Sequence, residues 1–255
     1  MAEKKIRKCT KQALQALVNN KKKTLKRRLF DFTWEVFIII IAVSITIWFH
    51  GWNAKRHEKE LEKNFLIGIK SDLNDVKDKL NNMVYWSLPQ VLDYYDSVWV
   101  QINERKINKA YVDSLSYNLM TTNLFVYNNS RFENFKSSGY LRLIKNDSLS
   151  MSITDLYTIW LPFQAEADDK IYGERRRDFI TYIGSKARID SSGRMIVSEI
   201  LDNPEVKFQI YWQKGMLHER KWQKQNLIEQ VNMVMNQIDD ELKKRFGIES
   251  DGIIE

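Results

Sequence analysis

Residues 34–53 read WEVFIIIIAVSITIWFHGWN, and the rest of the chain is organised around them. Between Val36 and Ala54 there are 19 residues without Asp, Glu, Lys or Arg. As a helix this run extends roughly 28 Å, about the hydrocarbon thickness of a bilayer. A buried helix of a soluble protein usually keeps a polar face, and this run has none. The pattern predicts a membrane-spanning helix over 34–53. Its expected interface residues are Trp34, Glu35, Trp48, Trp52 and Asn53.

The excess positive charge of the chain lies just before this run. Residues 1–33 hold eleven Lys and Arg against Glu3 and Asp31, a net charge of +9, so residues 34–255 sum to −2. The positive-inside rule places this tail in the cytoplasm and residues 54–255 on the other side of the membrane. We interpret the tail as a topology signal that also binds anionic lipid, in preference to a nucleic-acid-binding arm. The expected lipid contacts are Lys21, Lys22, Lys23, Lys26, Arg27 and Arg28.

The span is interpreted as an uncleaved signal anchor, because its apolar core is long and no small-x-small cleavage site follows it. Three segments result: a basic tail with an amphipathic interfacial helix (1–33), the span (34–53) and an extracytoplasmic domain (54–255). Residues 9–32 are expected to form a short helix and then the interfacial one. The only cysteine, Cys9, lies in the tail, so the domain is expected to fold without disulfides.

Beyond the span the pattern predicts an all-α domain. From Leu61 to Met83 apolar residues recur every three or four positions, which is typical of a coiled-coil stalk or of the first helix of a bundle. Leu66 and Ile67 lie off that stripe and favour the bundle. Further helices are expected over about 89–102, 108–119, 130–139 (with a Ser130–Glu133 capping box), 148–160 (kinked or ended by Pro162) and 164–186.

The last segment begins at Pro204 after a loop at 189–195. It is expected to end at Gly247, after Lys243-Lys244-Arg245, because cations and then glycine are common at helix C-termini. Gly215 is a candidate break. The predicted apolar stripe of this helix consists of Phe208, Tyr211, Trp222, Leu227, Val231, Val234, Ile238 and Leu242.

Two groups of residues carry a resemblance. The first is Glu35, the aliphatic run 36–47 and Trp52-Asn53, behind a basic N-terminus. The second is a helix ending in Ser-Ser-Gly, followed by Leu, a Leu-Ile pair and Asn, which here occupies 137–146. Both resemble an uncharacterised family of single-span membrane proteins common in Bacteroidota. The resemblance implies a bacterial inner-membrane protein with a periplasmic helical domain, and it implies no activity.

Sequence motifs of catalysis are lacking: no G-x-S-x-G, P-loop or H-E-x-x-H occurs. Glu58 and Glu62 lie near His50 and His57 at the membrane edge, but the polarity of the interface explains all four residues better than a metal site does. We therefore predict no catalytic residue, no cofactor and no metal. Arg175, Arg176 and Arg177 form a candidate partner or ligand surface, although a solvated helix face is the preferred interpretation. The many aromatics of the domain are interpreted as bundle core in preference to a ligand groove.

Three functions remain open. The leading hypothesis is a membrane-anchored helical interaction or scaffold module that binds a protein partner or forms a homo-oligomer. It rests on the single span, the long helix that follows and the lack of a catalytic constellation. The alternative is a sensor in which a small ligand acts on the helix entering the membrane. An enzyme using unidentified Asp or Glu residues is the least favoured.

Overall fold

The computed structural model describes the backbone of residues 2–121 and 124–249, and the side chains of residues 30, 32–34, 36–121 and 124–249. It divides into two compact units, residues 1–59 and 60–255. We call the second the helical unit. The all-α prediction is confirmed. The strands of the described residues are limited to a short antiparallel pair, β1 (Arg188–Ile189) and β2 (Met195–Ile196).

The N-terminal unit belongs to helix α1 (Ala2–Asn82), which continues into the helical unit. The prediction of two separate helices over 9–32 is wrong, because α1 runs through this region without a break. The described residues contain one helix long and apolar enough to cross a membrane, with a mean hydropathy of 2.1 and no burial in its most apolar window. The Thr46 hydroxyl donates to the carbonyl of Ala42 at 2.8 Å, so this polar group is satisfied within the helix. The side chains of Lys21, Lys22, Lys23, Lys26, Arg27, Arg28 and Glu35 lie outside the described residues.

The interface residues that are described are all exposed. Trp34 stacks on Phe37 with ring centroids 5.6 Å apart, and Phe49 makes edge contacts with both Trp48 and Trp52. Asn53 is exposed as well. These rings therefore lie on the outside of the helix, as anchoring at a headgroup layer requires.

Three long helical segments form the helical unit. The first is the end of α1 with a π-helical turn, Met83–Ser87, and α2, Leu88–Glu104. The second is α5 (Asp147–Asp155), a π turn (Leu156–Trp160), α6 (Leu161–Glu166), a π turn (Ala167–Gly173) and α7 (Glu174–Lys186). The third is α8, Pro204–Phe246, which the candidate Gly215 does not break.

The third segment is antiparallel to the first. Near its C-terminal end Arg245 contacts Glu62, whereas near its start Lys214 contacts Asp96 at 3.0 Å. Residues 60–82 pack against other elements, for instance through the stacked rings of Phe65 and Phe135. The structure therefore favours the bundle over a coiled-coil stalk.

Pro89 and Pro162 both lie within a continuing helical segment, so of the two alternatives predicted for Pro162, a kink or an end, the end is wrong. Pro89 and Pro162 each occupy the second residue of an α-helix, and each of those helices follows directly on a π turn. Proline removes one N–H and crowds the carbonyl four residues earlier. A π turn inserts one residue into the helical repeat, which changes the carbonyl pairing just ahead of each proline.

Residues 105–146 connect the first two segments through α3 (Lys109–Ser114), a 3₁₀ turn (Ser116–Leu119), α4 (Ser130–Ser137) and a second 3₁₀ turn (Tyr140–Leu143). The prediction of a capping box at Ser130 is wrong. Ser130 already belongs to helix α4, and the residue before it, Asn129, makes no side-chain capping hydrogen bond. Gly139 adopts φ +71° after the helix end, as expected of a terminating glycine. Asn146 is the N-cap of α5 and accepts from the N–H of Leu149 at 3.2 Å.

The expected loop at 189–195 is the turn of a β-hairpin. Asp190 accepts from the backbone N–H groups of Ser192 and Arg194, which closes the turn. The segment after β2 is held by Asp113, whose carboxylate accepts from the backbone N–H groups of Val197 and Ser198 at 2.8 Å each.

Candidate functional site: α8 and the charges it buries

Helix α8 buries one residue every three or four positions along its whole length. Leu227 and Leu242 belong to this stripe, as predicted. Followed toward the N-terminus in the same steps, however, the stripe passes through charged and polar residues. Its buried members are Val206, Ile210, Gln213, Leu217, Arg220, Lys224, Leu227, Val231, Val234, Met235, Ile238, Glu241 and Leu242.

The aromatic residues predicted for the stripe in the first half of α8 lie on the opposite face. Phe208 is 58% exposed, Tyr211 56% and Trp222 58%. The predicted stripe is therefore wrong at these three positions, because hydrophobicity alone assigned aromatic residues to the core. In this half of the helix, the buried face carries the charged residues Arg220 and Lys224 beside Val206, Ile210 and Leu217, whereas aromatic rings lie on the exposed face.

An open groove of about 480 Å³ runs along this aromatic face. The Arg175 guanidinium lies 5.9 Å from the ring centroid of Trp212, and Trp99 packs beside Tyr211 at 5.1 Å between centroids. Gly215 lies on the groove floor, and a Cβ there would meet nothing within 4 Å. A mid-helix glycine costs about 1 kcal/mol relative to alanine, and here its missing side chain opens the groove. We call this the aromatic groove; it is lined by Ile171, Tyr172, Arg175, Tyr211, Trp212, Gly215, Met216 and Glu219.

Ten Tyr, Trp and Phe residues of the domain were interpreted as core, and this interpretation is wrong for seven of those ten. Tyr94 and Tyr95 are buried and Trp99 is half-buried. The exposed ones are Tyr85, Trp86, Trp160, Phe163, Tyr211, Trp212 and Trp222. Aliphatic residues and Phe side chains fill most of the core instead, so these rings are available for contacts outside the chain.

Inside the bundle, α8 presents two cations to one carboxylate. The π turn Ala167–Gly173 places Asp168, which is 1% exposed, toward α8. Arg220 donates to it from Nε at 2.9 Å and from a terminal nitrogen at 3.0 Å, and Nζ of Lys224 donates at 2.9 Å. The backbone N–H of Phe125 donates at 2.9 Å as well. Asp168 thus accepts four hydrogen bonds, two of which form a bidentate pair.

Burial lowers the pKa of Lys224 to about 8, although Asp168 opposes that shift. The side chain is fully buried, and Arg220 beside it lowers the pKa further. Near neutral pH the ammonium is mostly protonated, but it loses its proton far more readily than an exposed lysine.

The three consecutive arginines do not form one surface. Arg175 and Arg177 are exposed, whereas Arg176 is buried, so the solvated-face interpretation is wrong for Arg176. Its terminal nitrogens donate to the Tyr95 hydroxyl at 2.7 Å and to the carbonyls of Asn118 and Thr121. Burial raises the pKa of Tyr95 to about 12, while Arg176 acts in the opposite direction. Arg175 alone joins the aromatic groove.

A second buried ionic cluster lies at the other end of α8. Glu62 accepts from Arg245 and, at 3.0 Å, from the backbone N–H of Lys145. Arg245 also donates to Glu241 at 3.3 Å, and the amide of Asn146 donates to Glu241 at 3.1 Å. The Leu-Ile-x-Asn part of the resemblance motif therefore has a structural role, since Asn146 joins a helix cap to this cluster.

Asp168, Arg220 and Lys224 were not singled out from the sequence. A signal was present: Arg220 and Lys224 continue the 3–4 spacing of the stripe that starts at Leu242. No local signal identifies Asp168 as their partner, because it lies 52 positions before Arg220.

Among the described residues, no group of three His, Cys, Asp or Glu side chains is arranged to hold a metal ion. The chain matches no protein-family model, no curated protein and no solved structure.

Proposed function

We propose that this chain is a membrane-anchored helical interaction module and not an enzyme. Residues 34–53 cross the membrane, the N-terminus is cytoplasmic and the helical unit is periplasmic. The observation that carries the proposal is the aromatic face in the first half of α8. Phe208, Tyr211 and Trp222 are exposed there, while Arg220 and Lys224 are buried on the other face. A folded domain exposes such a face at a cost in solubility, which favours a binding role for it.

The anchoring is supported by the uncharged run, the exposed tryptophans at its two ends and the basic tail. The tail contacts anionic lipid and binds no nucleic acid. The inner membrane and the periplasm follow from the proposed membership in the Bacteroidota family of single-span proteins, together with the charge asymmetry across the span.

The partner is a protein that inserts apolar side chains into the aromatic groove. Tyr and Trp are enriched where proteins bind one another, because they contribute large contact areas with few rotatable bonds. Arg175 beside Trp212 adds a cation that pairs with a partner carboxylate. A second copy of this chain is one such partner.

Sidedness tests the membrane part. In a Cys9→Ser background, Ser191→Cys places a thiol in the exposed hairpin turn. A membrane-impermeant maleimide should label it in intact spheroplasts, whereas Cys9 of the unaltered chain should be labelled only after lysis. The reverse pattern would place the helical unit in the cytoplasm and contradict the orientation.

Photo-crosslinking in native membranes tests the binding part. A photoreactive phenylalanine replaces Tyr211 in the groove or, as a control, Tyr117, which is 61% exposed elsewhere. Position 211 should crosslink to one protein and position 117 should not. Gly215→Leu fills the groove and should abolish the product. Gly184→Leu, at another open mid-helix glycine, should retain it. Equal crosslinking at 211 and 117, or a product that survives Gly215→Leu, would refute the groove as the binding surface.

The volume of the groove favours a second candidate, a small-ligand sensor. About 480 Å³ lies within the range of small-molecule sites. Thermal unfolding of the detergent-solubilised chain against a metabolite panel tests this candidate. A ligand that raises the midpoint of the wild type and of Gly184→Leu, but not of Gly215→Leu, supports the sensor. No shift across the panel argues against it.

A further inference from the structure

A cavity of about 20 Å³ lies beside Asp168, and it shares Tyr172 and Met216 with the lining of the aromatic groove. Its walls come from Thr121, Leu124, the π turn Ala167–Gly173, α7 and α8. A volume of this size holds one particle about as large as a water molecule. Its polar lining consists of Thr121, Asp168, Tyr172, Arg176, Gln213 and Arg220.

The charges around the cavity do not balance. Arg176, Arg220 and Lys224 are all at least nine-tenths buried, and among the described residues Asp168 is the one carboxylate that hydrogen-bonds to any of them. Glu219 lies nearby at the surface, where its carboxylate accepts from Gln223 at 3.0 Å. The buried group therefore carries a net charge of about +2. An uncompensated buried charge costs several kcal/mol, so a further anion is strongly favoured at such a place.

One donor of this group also lacks a partner. The terminal nitrogens of Arg176 are hydrogen-bonded, but its buried Nε–H has no acceptor among the described residues. Asp168 cannot supply one more acceptor at low cost, because it already accepts four hydrogen bonds. Buried donors are almost always satisfied in folded proteins, so this one indicates a missing acceptor.

Gly173 keeps the wall of the cavity open at this point. A Cβ at this position would lie 3.1 Å from the carbonyl oxygen of Asp168 and 3.8 Å from Leu124. The glycine therefore permits the π turn and α7 to approach the lining residues closely without filling the cavity.

We propose that this cavity binds a small monovalent anion of the size of chloride, held by Arg176 and Arg220. Chloride accepts hydrogen bonds, matches a cavity that holds one water-sized particle and offsets part of the positive charge. Chloride is closer than sulfate or phosphate to the size of the single water-sized particle that this volume holds. The anion stabilises the middle of the bundle, so the helical unit senses halide concentration through its own stability.

Thermal unfolding of the full chain in detergent tests the proposal. Sodium chloride, bromide, sulfate and gluconate are compared at equal ionic strength. For a dissociation constant of about 10 mM, 100 mM chloride should raise the unfolding midpoint by about 3 °C over gluconate, with saturation. Bromide should act like chloride and sulfate like gluconate. Equal midpoints in all four salts would refute the site, and a rise that follows the sulfate-to-chloride salting-out order would do the same.

A substitution that supplies the negative charge provides an independent test. Gln213 lines the cavity and is buried, so Gln213→Glu places a carboxylate there without changing the side-chain size. This variant should lose its chloride dependence and unfold in gluconate at or above the wild-type midpoint. The control Gln225→Glu makes the same change at an exposed position of α8 and should retain the chloride shift. A Gln213→Glu variant that still responds to chloride as the wild type does would refute the assignment.

Crystals grown in bromide give a direct readout. An anomalous peak between Arg176 and Arg220 confirms the site. Density that refines as water, without an anomalous peak at that position, overturns it.

Discussion

The helical unit buries two ionic clusters, one around Asp168 and one around Glu62, and their charge balances are opposite. Around Asp168 two buried cations, Arg220 and Lys224, share one carboxylate, and the buried Arg176 lines the same cavity. Around Glu62 and Glu241, two buried carboxylates share Arg245, whose side chain is still 24% exposed. In the second cluster the acceptors are satisfied by a backbone N–H and by the amide of Asn146.

The contrast separates a structural cluster from a candidate site. The Glu62 cluster lies where α8 ends and α5 begins, and its hydrogen bonds join the two helix ends to α1. The Asp168 cluster lies mid-helix, beside a π turn, a cavity and an unpaired donor, features that are common at functional positions. A buried excess of charge does not by itself indicate a functional site. An excess of charge combined with an unsatisfied hydrogen-bonding group does indicate one.

The largest expected effect is that of Asp168→Asn. This change keeps the side-chain shape but leaves Arg220 and Lys224 buried without a counter-charge, so the free energy of unfolding should fall by about 3–5 kcal/mol. Chemical unfolding of the solubilised chain measures it. The control Asp169→Asn alters an exposed neighbour on the same turn and should change stability by less than about 0.5 kcal/mol. A loss below about 1 kcal/mol for Asp168→Asn would show that the cations do not need this carboxylate.

Glu62→Gln is the matched change in the other cluster and should cost about 2 kcal/mol. The new amide oxygen still accepts from Lys145, and Arg245 keeps Glu241 and partial contact with solvent. Glu60→Gln, at an exposed residue of the same helix, is the control and should be nearly neutral. If Glu62→Gln lowered the free energy of unfolding as much as Asp168→Asn does, the proposed difference between the two clusters would be contradicted.

Asn146→Ala should cost about 1 kcal/mol, because it removes both the cap of α5 and the donor to Glu241. Asn146→Ser restores a capping oxygen and should recover a good part of the loss. If Asn146→Ser and Asn146→Ala are equally destabilising, the hydrogen bond to Glu241 contributes more to stability than the helix cap does.

Lys224→Met should have the smallest effect at pH 7, within about 1 kcal/mol, since Asp168 keeps Arg220 and a buried charge is removed. Because the folded-state pKa of Lys224 is about 8, below its usual 10.5, the unfolded chain binds more protons between those values. The wild type should therefore gain stability relative to Lys224→Met as the pH rises from about 8 to 10.5, and show no such relative gain from pH 6 to 7. Parallel stability curves for the two chains over the whole range would contradict the lowered pKa.

Much of the local structure was predictable from the sequence. The last helix ends at Gly247 after three cations, Asn146 begins α5, and Gly139 terminates a helix, because caps and glycines act within a few residues. Two helix breaks that the sequence left open do not occur, because neither Pro162 nor Gly215 ends a helix. A π turn accommodates the proline, and packing on the buried side of α8 offsets the cost of the glycine.

The candidate site was predictable only in part. Arg175 was named as a candidate surface residue and does lie in the aromatic groove, but the partners of Arg176 and the burial of Arg220 were missed. Hydrophobicity placed Phe208, Tyr211 and Trp222 in the core, and the structure places them outside. The stripe from Leu227 to Leu242, extended backwards in steps of three and four, gives the correct face.

The sequence by itself determined the helical class, the apolar run at 34–53 and most helix ends, because these depend on composition and on neighbours along the chain. Only the tertiary structure decided which face of α8 is buried and which charges meet there. Burial of an arginine or lysine is tolerable only beside a counter-charge, and here that carboxylate comes from a π turn more than fifty residues away.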